Sequence, residues 1–180
     1  MNKPDKYITH HAVSLKTHTA QDVDAWHKER WPGFTSKHFK NEKGEYYHVG
    51  YHFVIEWDGK VVQCRALKEE GAHCYGQNST SIGVCFMGNN DVHKPSSAQI
   101  DAWIKLYQTL QPSFPLITPS RIFPHRNYAN KSCHGKLLTD DYYGWLVTEH
   151  AKEAPQAELL EQLRQTLNRL KSLLSQRRMK

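Results

Sequence analysis

The 180-residue chain contains no apolar run long enough to cross a bilayer; a spanning helix needs about 20 consecutive apolar residues. Its longest candidates, such as Ile82 to Met87, are the length of one strand. The first residues, Met1-Asn2-Lys3-Pro4-Asp5-Lys6, form no apolar signal core. The expectation is a protein made in the cytosol that acts elsewhere only once another agent releases it. Cysteine is sparse and irregularly spaced. Cys64, Cys74, Cys85 and Cys133 include no C-x-x-C pair, which excludes a zinc knuckle and a thioredoxin-type motif and leaves reduced thiols as the expectation. Excess positive charge is nearly confined to one end. Residues 161–180 carry Arg164, Arg169, Lys171, Arg177, Arg178 and Lys180 against the single acid Glu161, and the whole chain has a net charge of +6. The body is close to neutral, so nucleic-acid binding is not indicated.

With 38% hydrophobic and 23% charged residues, the composition is that of a folded domain, and the length leaves room for one appended element. Tyr7 to Ser14 alternates as a strand and carries His10-His11. Thr19 to Trp31 reads as a helix with Val23, Trp26 and Arg30 on one face, stopped by Pro32-Gly33. Residues 34–48 are polar and loop-like. Two β-rich runs, Tyr51 to Trp57 and Lys60 to Gln63, flank Asp58-Gly59 and predict a hairpin. Ser81 to Gly88 and Arg121 to Pro124 read as strands, and Ser97 to Leu110 and Asp140 to His150 as helices. Strands interspersed with helices predict an α/β domain with one sheet. Trp26, Trp57, Trp103 and Trp145 are expected in the core rather than as sugar platforms.

After Pro155 the texture changes. Leu160, Leu163, Leu167, Leu170 and Leu174 recur at alternating three and four, the stripe of an amphipathic helix. We therefore expect two regions, 1–152 and a basic, leucine-rich C-terminal helix over 153–180. Such a helix can pack its stripe on protein, or its basic face can hold an anionic envelope surface. The residues leave the oligomeric state open.

Twelve histidines are the unusual feature. His125 and Cys133 stand eight apart on a loop-rich segment with Lys131 between them. Imidazole and thiolate are good zinc ligands, although such a pair is by itself a weak signal. His10 and His11 point to opposite faces of their strand, so one of them at most can face a given site.

Together the motifs say more. His10-His11-Ala12, Trp26-His27-Lys28, Val49-Gly50-Tyr51-His52-Phe53, Gly71-Ala72-His73, Asn78-x-x-Ser81-Ile82-Gly83-Val84 and His125-x7-Cys133 occur in the order seen in type-2 N-acetylmuramoyl-L-alanine amidases. From about residue 7 to 150 the chain resembles that family, which includes zinc amidase endolysins of phages and peptidoglycan recognition proteins. The resemblance implies a mixed central sheet flanked by helices. It also implies a zinc ion on His10, His125 and Cys133, with Tyr51 and Lys131 as catalytic residues. His73 and Asn78 are expected on the wall of the substrate groove. The implied activity is hydrolysis of the amide between N-acetylmuramic acid and L-alanine in bacterial peptidoglycan, as in an endolysin. One departure is that Cys133 is followed by His134-Gly135, where the family often has Pro; His134 is read as a loop residue rather than a competing ligand. His27 and His52 are read as structural.

Overall fold

The computed structural model describes residues 1–152, 163–165 and 167. It divides into two units, Met1–Leu146 and Val147–Lys180. In the first unit the elements are β1 (Lys6–His11), α1 (Ala20–Arg30), β2 (Phe53–Ile55), β3 (Val61–Gln63), β4 (Ser81–Phe86), α2 (Ser97–Leu110) and β5 (Ile122–Pro124). The five strands form one mixed sheet in the order β3-β2-β4-β1-β5. Residues 142–146 are helical.

The central strand β4 is buried along its whole length. That accounts for its unbroken apolar sequence, since a strand covered on both faces has no solvent side to alternate with. β1 and β2 pair with it in parallel, and β5 pairs in parallel with the far side of β1. The hairpin expected around Asp58-Gly59 forms, with Phe53 opposite Gln63 and Ile55 opposite Val61. Gly59 supplies the positive φ of +89° that this turn requires.

One face of the sheet is covered by α1 and the segment after it. Ala20, Val23, Tyr47 and Val49 cluster there with Val54, Cys85 and Met87. Thr19 caps α1 in a reciprocal capping box with Asp22. The buried carboxylate of Asp24 accepts hydrogen bonds from Asn41 Nδ2 at 2.8 Å and from the His48 backbone N–H at 2.5 Å, tying the polar 34–48 loop to the helix. The other face carries α2. Trp103 is fully buried and meets Tyr7 edge-on with ring centroids 5.4 Å apart. Gln99 Nε2 donates to the carbonyls of Ile55 and Met87 at 3.0 and 2.9 Å, fastening α2 to the ends of β2 and β4.

Three expectations need correction. β1 stops at His11 rather than Ser14, because Val13 turns the chain at φ +50°. Trp26 and Trp145 are 40% and 52% exposed rather than core residues. The buried side of α1 is the narrow stripe of Ala20, Val23 and Asp24, and Trp26 falls beside it, edge-on to His18 with ring centroids 5.2 Å apart. Trp145 packs its ring near Tyr142, 6.4 Å away, while the inward position is taken by Tyr143, stacked on Phe86 at 4.3 Å. Of the leucine stripe, Leu163 and Leu167 are helical and more than half exposed; Leu160, Leu170 and Leu174 lie outside the described residues. Among the described residues no helix is long and apolar enough to cross a membrane.

Candidate metal centre

Strand geometry separates the two adjacent histidines. His11 turns its ring toward Asn90, whose backbone N–H donates to its Nδ1 at 2.9 Å. His10 projects on the opposite face, where His125 follows the end of β5 in a short 3-10 turn. The rings of His10 and His125 stand 4.5 Å apart. Cys133 completes the group: its Sγ is 3.7 Å from His10 Nδ1, and one ligand atom from each of the three residues lies within 4.8 Å of the others. All three are buried, on the floor of a cavity of about 560 Å³ whose lining includes His27, Tyr51, His73 and Lys131.

The loop from His125 to Asp140 is held by side chains as well as by its own backbone. Arg126 donates to the carbonyls of Gly135 and Leu138, both at 2.7 Å, and to Asp140 Oδ1 at 2.6 Å. Asp91 accepts from the Ser132 hydroxyl and the Lys136 N–H, both at 2.8 Å. Asn90 Nδ2 donates to the His134 carbonyl at 3.1 Å. Gly135 has φ +126°, and a Cβ there would stand 2.2 Å from that of Asn90, so the close approach of the two segments needs glycine. The His11 backbone N–H donates to Cys133 Sγ at 3.3 Å.

Electrostatics favours neutral imidazoles. Burial first, then the neighbouring His73 and His125, hold His10 well below the usual imidazole range. Burial and then Lys131 bring His125 down to about 4. Burial pushes the Cys133 thiol up to about 12 against the His11 N–H and Lys131, which act the other way. His134 is occupied elsewhere, its Nδ1 2.6 Å from Thr9 Oγ1 and its Nε2 3.0 Å from the Thr139 carbonyl, so it is not free to join the group.

The other expected residues fall around this centre in different ways. Half-buried Tyr51 sets its ring 4.9 Å from that of His10; burial, then the Cys85 and Cys133 thiols, push its hydroxyl well above the usual phenol range. Lys131 is exposed at the cavity wall. His73 lines the cavity, yet it is buried and its Nδ1 lies 3.0 Å from His10 Nε2. Asn78 organises the loop beneath, its Oδ1 accepting the N–H groups of His73 and Cys74 at 2.9 Å. An adjoining cavity of about 470 Å³ is lined by Trp31, Phe34, Tyr75, Asn78, Tyr128 and Lys131 among others.

The sequence profile of the N-acetylmuramoyl-L-alanine amidases matches residues 1–136. The chain belongs to that family. An endolysin of Enterobacteria phage K11 is 30% identical over 136 residues, covering 67% of this chain and 79% of that protein. Peptidoglycan-recognition protein 2 of Holotrichia diomphalia is 28% identical over 143 residues, covering 79% and 74%. Several other curated recognition proteins are spanned over about half of their length. The amidase LysC from Clostridium intestinale superposes with a TM-score of 0.62 at 25% identity, covering 75% of this chain and 78% of that one.

A zinc ion suits the donors that this family member brings together. Ideal tetrahedral geometry with Zn–N near 2.05 Å and Zn–S near 2.3 Å puts nitrogen and sulfur roughly 3.6 Å apart, against the 3.7 Å between His10 Nδ1 and Cys133 Sγ. Two neutral imidazoles and one thiol, whose proton a bound zinc ion would displace, make a chemically apt set. The supporting residues Asn90, Asp91 and Arg126 escape sequence reading because each acts through backbone groups across loops. His27 lines the cavity too, while its Nδ1 accepts the Gly50 N–H at 3.0 Å in the structural role expected of it.

Proposed function

We propose that the chain is a zinc-dependent amidase that hydrolyses the bond between the lactyl group of N-acetylmuramic acid and L-alanine in bacterial peptidoglycan, acting as an endolysin. The observation that carries this reading is the convergence of His10, His125 and Cys133 on one cavity floor in a chain of the amidase family. Three protein donors would leave a bound zinc ion one position open, as in catalytic rather than structural sites. When bound there, zinc supplies Lewis acidity that polarises the amide carbonyl and activates water near neutral pH.

The chain's own residues supply the rest. The Lys131 ammonium at the cavity wall offsets the negative charge that develops on the carbonyl oxygen during attack. Tyr51, a phenol and so protonated at neutral pH, with burial holding that proton more firmly still, serves as a donor that orients the attacking water or the amide. The His11 N–H steadies the negative charge of Cys133. Retention of Cys133, Tyr51 and Lys131 together favours an enzyme over a binding-only receptor on the same fold.

Two measurements test the proposal together: zinc content of the purified protein, and mass spectrometry of the fragments it releases from purified peptidoglycan. Free lactyl carboxyl groups and stem peptides with an N-terminal alanine are expected. Cleavage within the stem peptide would replace this reading with a peptidase, and binding without cleavage would replace it with a receptor.

A further inference from the structure

His10 has two ring nitrogens, and the fold gives each a different neighbour. Nδ1 faces Cys133 Sγ at 3.7 Å, on the side of the expected metal. Nε2 faces Nδ1 of His73 at 3.0 Å. A neutral imidazole carries one proton, and whichever nitrogen holds it cannot offer a lone pair. A His10 that coordinates through Nδ1 must therefore carry its proton on Nε2, and His73 Nδ1 is placed to accept it.

The surroundings of His73 are built to keep the ring in that position. Its backbone N–H is fixed by Asn78 Oδ1 at 2.9 Å. A Cβ at Gly71 would stand 2.4 Å from His73 Cδ2, and one at Gly83 would stand 2.5 Å from it, so glycine at both positions makes the slot. On the far side of the ring, Nε2 lies 3.5 Å from Ser81 Oγ, whose hydroxyl donates to the Gln77 carbonyl at 2.7 Å. That serine oxygen therefore keeps lone pairs free toward the Nε2 proton of His73. Every group along the line from Gln77 through Ser81 and His73 to His10 has a consistent donor or acceptor role.

We propose that His73 is a positioning residue of the metal centre, accepting the Nε2 proton of His10 so that Nδ1 of His10 is presented to the ion. The proposal rests on the metal-centre reading above and gives His73 a task beyond contact with substrate. Ligating histidines commonly owe their tautomer to such an outer partner, and loss of the partner weakens metal binding by roughly 10- to 100-fold.

The test uses the full chain and zinc itself. Zinc affinity is measured by competition with a chromophoric chelator for the wild type, His73→Leu and His73→Asn. Leucine fills the slot without an acceptor and should weaken zinc by roughly 10- to 100-fold. Asparagine places Oδ1 where the imidazole has Nδ1 and should bind close to the wild type. Leucine binding as tightly as the wild type, or asparagine binding as weakly as leucine, overturns the proposal. Should the leucine variant not fold, nitrogen NMR of the zinc-free wild type decides independently: a His10 proton on Nε2 supports the assignment and one on Nδ1 overturns it. Neither readout depends on cleavage, so a protein that binds zinc as expected but leaves peptidoglycan intact would refute the amidase reading alone.

Discussion

Acid should unfold this protein steeply, because buried histidines accept hydrogen bonds from backbone N–H groups that a second ring proton would confront. His52 is the sharpest case. It is fully buried, its Nδ1 accepts the Gly83 N–H at 3.0 Å, and its Nε2 lies 3.0 Å from the Glu69 carbonyl, to which it donates. Protonating Nδ1 would set two N–H groups against each other. Burial is the main cause that lowers its pKa to about 4 from an ordinary 6.5. His27 repeats the pattern, accepting the Gly50 N–H at 3.0 Å with a pKa of about 4, again chiefly through burial. The folded pKa lies below the unfolded one, so each contribution is complete above about pH 6.5 and is lost as the pH falls toward 4. A gap of about 2.5 units at about 1.4 kcal/mol per unit gives about 3 kcal/mol for each histidine. Two of them then amount to a large share of a typical domain stability of about 5–15 kcal/mol. Urea unfolding of the zinc-free protein between pH 7.5 and 4.5 measures the loss directly. His52→Asn keeps an acceptor for Gly83 but cannot titrate, so its stability should fall less steeply with acid, by about 1.4 kcal/mol per pH unit. It should start lower at pH 7.5 and converge on the wild type near the acid end. Parallel curves for the two proteins would refute the reasoning.

Other perturbations separate the roles of the remaining residues. Cys133→Ser should lose zinc and lysis, whereas Cys64→Ser, in the core away from the centre, should keep zinc; metal analysis after dialysis distinguishes them. Tyr51→Phe and Lys131→Ala should retain zinc yet lose roughly a hundredfold or more in turnover on peptidoglycan, if each acts on the transition state. Gly135→Ala adds a Cβ against Asn90 at a left-handed φ and should destabilise by more than about 1 kcal/mol, read as a lower urea midpoint and a weakened grip on zinc.

Much of the architecture is legible along the chain because it is written in local chemistry. Asp58-Gly59 announces the hairpin, Thr19 announces the start of α1, and the unbroken run after Ser81 announces the central strand. The pairing of residue types in order, from His10-His11 to His125-x7-Cys133, is enough to indicate the family. Local pattern fails where a residue's fate depends on what covers it. Trp26 and Trp145 are as apolar as Trp103, but α2 turns Trp103 into the sheet whereas the other two fall beside the buried stripes of their helices.

By itself, then, the sequence determined the order of strands and helices and the residue types available for a metal centre, since propensity, capping and alternation act within a few residues. Local pattern does not choose between His10 and His11; the family resemblance points to His10, and the reason lies in tertiary structure. Strand parity sends His10 and His11 to opposite faces, but only the parallel pairing of β1 with β4 and β5 brings the His10 face against His125, Cys133 and Tyr51. The partnership of His10 with His73, 63 residues apart, arises the same way. It needs the slot between Gly71 and Gly83, which exists only once the loop before β4 has folded over the sheet. Hydrogen bonds of that range have no periodic signature in the chain, because they join elements whose spacing is set by packing rather than by local geometry.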